Sequence, residues 1–287
     1  MIQSLLEGIL MGGVYALAAL GVSLIFGVMK ITNFAHGALT MIGMYVTYEI
    51  CNRLGVVPYV ALPLTTVVMF FIGYIIQQGL INPIITAPSH NQLLLTLGIS
   101  IILENMALAI WTPNYKSITV PGFDKALNVA GISINKPKVV AFIFVVVVTS
   151  IIYVILTRTD LGRAIRATSM ESEGASLVGI RIKNINSIAF AIGVACAGIA
   201  GTLLTPILYI SPSIGNTLLL KCFVISVLGG LGNIWGALLA GLIIGVVEST
   251  SGFMLGGTWS EMVIYAIFIL TLFMKPTGLF GRRVSRG

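Results

Sequence analysis

Charge is scarce in this sequence. Asp and Glu number nine and Lys and Arg 16, together 9% of 287 residues, while 57% are hydrophobic. A soluble globular domain carries about 25% charged residues. So few charges could not cover the surface of a soluble chain of this size, which nearly excludes the soluble-enzyme classes. Disorder is excluded as well, because the polar tracts it needs are missing. Cysteine is also sparse: Cys51, Cys196 and Cys222 sit in or beside apolar runs, form no disulfide framework, and read as small apolar fillers. No basic residue precedes the first apolar run; the first is Lys30, and Glu7 lies inside the run. A cleaved signal needs positive charge ahead of its core, so a retained span with its N-terminus outside is expected. Long polar connections are absent too. The longest run to about 25–30 residues, too short for a second core, so residues 1–287 read as a single membrane domain.

Long apolar runs are abundant. A spanning helix needs about 20 mostly apolar residues. Nine runs qualify, at roughly 3–28, 34–52, 57–80, 92–112, 138–157, 186–208, 214–231, 234–254 and 258–275. The fold class expected is all-α: a polytopic membrane helical bundle of about 8–10 spans or partial spans. The second run begins at a Gly/Asn-containing turn, and the seventh carries Lys221 and ends in Gly229-Gly230-Leu231-Gly232-Asn233. Either could be broken or re-entrant, which membrane depth allows where protein or water satisfies the backbone.

The net charge of +7 reads as membrane orientation rather than nucleic-acid binding, because the basic residues lie in short connections. The connection 158–185 holds Arg158, Arg163, Arg166, Arg181 and Lys183. The tail holds Lys275, Arg282, Arg283 and Arg286. Both are expected to be cytoplasmic. Lys116, Lys125, Lys136 and Lys138 argue against that scheme, since their connection falls outside.

Three features could carry function. Thr32, Asn33 and His36 interrupt two apolar runs, followed by Gly37 and Thr40. Asn33 could cap the next helix, and its terminus could face a polar ligand or gate; an interfacial turn with a satisfied histidine explains the residues equally. Asn233-Ile-Trp-Gly236-Ala-Leu238 echoes Asn33 to Leu39. Glycines at four-residue spacing (Gly8 and Gly12; Gly232 and Gly236; Gly241 and Gly245; Gly252 and Gly256) favour close helix packing, with a glycine-lined path as the alternative. Glu104, Lys221 and Glu248 fall within apolar runs, where a charge costs about 2.5–3.5 kcal/mol even on insertion scales. Each should face the bundle interior or water. Lys221 paired with one of the glutamates is the structural reading; substrate contact or a proton relay is the functional one.

The connection from Asp160 through Gly162, Arg163, Arg166, Glu171, Glu173, Ala175, Gly179 and Ile180 is too polar to span. Asp160 could cap a short helix, and Arg163 and Arg166 would share one of its faces. Such a helix could lie in a groove of a cytoplasmic partner, or on anionic lipid. Gly229-Gly230-Leu231-Gly232-Asn233 lacks the Lys-Ser/Thr of a P-loop, so nothing here could hydrolyse ATP.

The run Ile31-Thr-Asn-Phe-Ala-His-Gly-Ala-Leu-Thr-Met-Ile-Gly43 resembles the signature of the LivH-type permeases, membrane subunits of the branched-chain amino-acid class of bacterial ABC importers. Gly-Arg-Ala-Ile-Arg-Ala at 162–167, Leu-Val-Gly-Ile at 177–180, Val-Leu-Gly-Gly-Leu-Gly at 227–232 and Met-Lys-Pro-Thr-Gly-Leu-Phe-Gly at 274–281 extend the resemblance over nearly the whole chain. Glu173, Ala175 and Gly179 match the core of the ABC coupling loop; Gly174 replaces its central alanine, and its closing Leu-Pro is absent. The resemblance implies a type II-like permease in a bacterial inner membrane with its C-terminus in the cytoplasm. It implies a LivM-like second permease, two ATPases that bind ATP and magnesium, and an extracytoplasmic solute-binding protein, with no cofactor held by this chain. The mechanism implied is alternating access, driven through the loop 158–185. The substrate path is expected near Asn33, His36, Gly37, Thr40, Glu104, Gly229, Gly230, Gly232, Asn233 and Glu248. Branched-chain amino acids lead as substrate; urea or amides and small carboxylates stay open. A proton-coupled carrier using Glu104 and Glu248, or a passive channel, remains as an alternative.

Overall fold

A computed structural model describes residues 1–122, 127–129 and 132–281. Lys125, Arg282, Arg283 and Arg286, which entered the orientation argument, lie outside the described residues. Every one of the nine apolar runs is a helix. In chain order, α1 spans Ile2–Met29, α2 His36–Leu54 and α3 Pro58–Ile76; α3 continues through a π-turn, Gln77–Ile81, and a 3₁₀ turn, Asn82–Ile84. The fourth helix, α4, spans Ser89–Trp111. After the hairpin β1 (Leu127–Val129) and β2 (Ile132–Ile134) comes α5, Lys136–Arg158. Two short helices follow, α6 (Asp160–Met170) and α7 (Ser172–Leu177), then α8 (Ile182–Leu204), α9 (Ile214–Gly229), α10 (Ile234–Leu255) and α11 (Gly257–Met274).

Among the described residues, seven helices are long and apolar enough to cross a membrane: α1, α3 with its extension, α4, α5, α8, α10 and α11. The other two runs are the suspect ones. The α2 helix carries Glu49 and Arg53, and α9 has only 16 residues. Both lie inside the bundle, α2 packed on α8 and α9, and α9 on α1, α2 and α10, and their burial extends around much of each helix. The sixth run sits four residues earlier in the chain than its apolar content suggests, because Ile182–Asn186 joins α8 and the chain turns at Thr205.

Backbone chemistry sets the breaks. The chain leaves α1 at Lys30, in the left-handed region (φ 58°), and α2 leaves through Gly55 (φ 66°). Pro58 opens α3, where its missing N–H costs nothing. Between Lys30 and His36 the chain folds back along α1. His36 therefore packs against Ala18 and Gly21, about three turns (~16 Å) before α1 ends. So α2 starts inside the bundle, as a broken helix does.

Glycine replaces side chains where backbones touch. A Cβ on Gly8 would lie 2.7 Å from the Gly245 carbonyl oxygen, and one on Gly12 2.7 Å from that of Gly241. This seam joins α1 to α10, the most extensive helix pairing in the molecule. Lipid tails are as apolar as leucine, so such contact, not hydrophobic transfer, drives association. Gly43 meets the Gly198 backbone in the same way between α2 and α8. Beside it, the Thr47 hydroxyl lies 2.8 Å from that of Thr202 on α8 and 3.2 Å from that of Thr65 on α3. The three cysteines are free and buried.

The bundle has two distinct ends. At one, α6, the α9–α10 turn and Phe280–Gly281 surround a cleft of about 580 Å³. At the other, Lys116 pairs by backbone with Ile210, and the Lys138 ammonium lies 2.8 Å from Glu7. The connection 158–185 and residues 275–281 thus share one end.

Candidate functional site

The substrate-path candidates from the sequence fall into four places, not one. The first is the start of α2. The Asn33 side-chain oxygen accepts from the Ala35 N–H at 3.0 Å, just ahead of the helix rather than within it. His36 is fully buried, its Nε2 2.9 Å from the Ala18 carbonyl. Thr40 donates back to the His36 carbonyl at 3.0 Å. Gly37 lies against the Gly215 carbonyl and Leu219, with no room for a side chain. The N-termini of α2 and α9 therefore meet inside the bundle. Asn33 Nδ2 and His36 Nδ1 have no hydrogen-bond partner among the described residues.

The second place is the α9–α10 turn. Gly229 abuts Gly236, Gly230 (φ 88°) abuts Gly281, and Gly232 abuts Gly27. The Asn233 side-chain oxygen caps α10 by accepting from Gly236 N–H (3.1 Å), and its amide donates to the Phe280 carbonyl (2.9 Å). The echo of Asn33 is thus a true cap here. No hydrogen bond among the described residues links this turn to Asn33 or His36. Gly232 and Asn233 instead share the cleft with Arg166.

The third place is a buried charge cluster. Lys221 on α9 lies 2.7 Å from Glu248 on α10, with side chains 10% and 23% exposed. The Tyr15 hydroxyl accepts from Lys221 (3.3 Å) and donates to Glu248 (3.4 Å), and the ammonium stands 4.9 Å from the Tyr15 ring centre. Glu248 is the glutamate that pairs with Lys221. It also edges a cavity of about 400 Å³ shared with Glu7, Lys138 and Asn135. Tyr15 escaped the sequence reading; a tyrosine inside an apolar run carries a hydroxyl that needs a partner when buried.

Glu104 is the fourth. It stands apart from Glu248, on α4, where its carboxylate accepts from the Asn216 amide of α9 at 3.4 Å. Asn105 beside it is exposed and satisfies its own amide on the Ile101 carbonyl.

The loop 158–185 is ordered. Thr159, not Asp160, caps α6, accepting from Gly162 N–H at 3.1 Å. Threonine supplies the extended backbone and side-chain oxygen that a cap needs; Asp160 is the favourable first-turn acid and pairs with Arg163. Arg163 and Arg166 diverge: Arg166 turns back to the Leu156 carbonyl at the end of α5. Gly162 lets α6 press against the α5 carbonyls of Ile155 and Leu156. Glu171 and Glu173 are exposed, and Ala175 is buried. The α7 helix closes on Gly179 (φ 88°), with Gly179 N–H to Ser176 O (3.0 Å) and Ile180 N–H to Ala175 O (3.1 Å). That is a Schellman end, which needs a left-handed residue. Met170, Leu177 and Val178 point outward, 85%, 87% and 77% exposed. These three were missed by the sequence reading, since apolar residues in a polar loop look like its own small core.

Among the described residues no three His, Cys, Asp or Glu side chains gather as a metal site would need. Residues 4–272 match the family described as "Branched-chain amino acid transport system / permease component". The chain is 31% identical to the high-affinity branched-chain amino acid transport system permease protein BraD of Pseudomonas aeruginosa, over 98% of this chain and 96% of that protein. It is 31% identical to LivH of Escherichia coli K12 over the same shares, and 31% identical to a probable LivH of Methanocaldococcus jannaschii over 97% and 92%. The similarity to LivM of Salmonella typhimurium is lower, 25% over 93% of this chain and 67% of that protein. No solved structure matches the chain.

Proposed function

The chain belongs to the branched-chain amino acid transport permease family, and from that premise we propose that it is the LivH-type subunit of an importer that moves branched-chain amino acids inward. Its role is that of a non-enzymatic permease in a multi-subunit ABC transporter with a second permease. Two ATPases, one of them seated on α6 and α7, would supply the energy, and a solute-binding protein at the opposite end would supply affinity. The α6 end is then cytoplasmic and the membrane is the inner one.

The observation that carries this reading is the build of α6–α7. A capped helix and a Schellman-closed helix hold Met170, Leu177 and Val178 in the open beside Glu171 and Glu173. Short rigid helices with exposed apolar side chains suit a groove on a partner. ATP binding would close the ATPases, and α6, pressed on α5 through Gly162, would pass the motion into the bundle. A ligand can shift such an equilibrium only through different contacts in the two states, and α6, packed on α5, would be the element through which they differ. A carrier that couples to protons through Glu104 and Glu248 is not favoured, because the two carboxylates sit on different helices with separate partners.

The test is purification in mild detergent with its partners, then leucine uptake into proteoliposomes with and without internal ATP. Uptake that needs ATP, the ATPases and the binding protein is expected. Leucine uptake by the chain alone would overturn the reading.

A further inference from the structure

Most of the outward surface of this bundle is aliphatic, as lipid contact requires; α5, for example, presents Ile143, Val146 and Val147. One face departs from this. On α4 the Glu104 carboxylate and the exposed Asn105 follow one another in mid-helix, and α9 brings the Asn216 amide to Glu104. No cation pairs with Glu104 among the described residues. The depth is fixed by packing. Asn216 follows Gly215, whose backbone touches Gly37 and Ala38 at the buried start of α2. The N-terminus of α9 therefore lies against the buried start of α2, at the same depth. A carboxylate and two carboxamides at this depth are expensive against hydrocarbon and are found facing protein or water instead.

We propose that the α4–α9 face around Glu104, Asn105 and Asn216 is the seam against a LivM-type second permease. The inference rests on the proposed function, which supplies that partner. The chemistry commits the face to a membrane-embedded protein: the polar cluster is flanked by exposed Leu97, Ile101 and Leu220, an apolar rim that a soluble partner would leave in lipid. LivM proteins align with 93% of this chain, so a LivM-type partner shares its helical framework and has an equivalent α4–α9 face. Two such faces meeting about a near-twofold axis form a self-complementary contact. That seam takes Glu104, Asn105 and Asn216 of this chain out of contact with lipid.

The experiment uses the intact complex. Benzoylphenylalanine replaces Asn105 in one preparation and Val147 on α5 in another, and each is irradiated in native membranes before purification. A cross-link from position 105 to the second permease, with none from 147, is expected. Leu220→Trp, a wedge in the seam, should lower recovery of the second permease at least tenfold, whereas Val147→Trp leaves recovery unchanged. Cross-linking from 147 and not 105 would overturn the seam, as would lipid adducts at 105. A product of twice this chain's mass would overturn the LivM-type occupant. If no second permease copurifies with the parent chain, the proposed function itself fails, a result distinct from these.

Discussion

Removing Glu248 alone should damage this protein far more than removing Glu248 and Lys221 together. In Glu248→Leu the Lys221 ammonium stays between α1, α9 and α10 with only the Tyr15 hydroxyl beside it. Breaking a buried pair this way costs about 3–5 kcal/mol. The 23% exposure of Glu248 lets some water reach the site and places the expectation near ~3 kcal/mol. Lys221→Met strands the carboxylate, one of whose oxygens already has no hydrogen-bond partner among the described residues, so the sign is the same. In the double variant both charge desolvation costs vanish, a gain of about 1–4 kcal/mol, while the buried Tyr15 hydroxyl loses both its partners at about 1–3 kcal/mol, so stability should return close to the parent value. The assay is unfolding of four proteins in one detergent: parent, each single variant and the double. The coupling term of that cycle isolates the pair. Two results would refute the reasoning: a Glu248→Leu protein as stable as the parent, or a double variant as weak as the two single losses summed.

Gly245→Leu should push α10 off α1, since this glycine lies directly on Gly8 and Gly12; overpacking costs about 1–3 kcal/mol or more, visible as lost monodisperse protein on size exclusion. Asn233→Ala removes both the α10 cap and the bond to Phe280 and should cost about 1–2 kcal/mol in thermal unfolding. Leu177→Ser with Val178→Ser should leave folding intact, because both side chains are exposed in the isolated chain, while weakening ATPase recovery by about 10-fold or more, as loss of apolar anchors does. Unchanged ATPase recovery would show that α7 is not the docking element.

Nine helices were legible in the sequence because a bilayer accepts only one kind of segment from a helical chain: long, apolar and internally hydrogen-bonded. Even the two doubtful ones announced themselves, α2 through the polar turn at Thr32–His36 and α9 through Lys221 and its glycine-rich end. One short helix of the loop 158–185 was legible from charge spacing, but neither its cap nor the second helix, α7, was. Thr159 and Asp160 are both good caps, and only backbone geometry chooses between neighbours. The glycine series gave the α1–α10 seam its residues, though not its pairing.

What the sequence determined by itself is membrane residence, the nine apolar helices, the family motifs and the identity of the charged residues that need an explanation. These follow from local composition and from spacing along one chain. The tertiary structure alone decided which groups meet. It paired Lys221 with Glu248 beside Tyr15, sent Glu104 to Asn216, and parted Asn233 from Asn33 despite their similar surroundings in the chain. It also set the start of α2 three turns inside the bundle. Those outcomes depend on how far the chain folds back after Lys30 and on which glycines allow two backbones to touch. Both are properties of packing between segments up to more than 200 residues apart, and no local pattern records them.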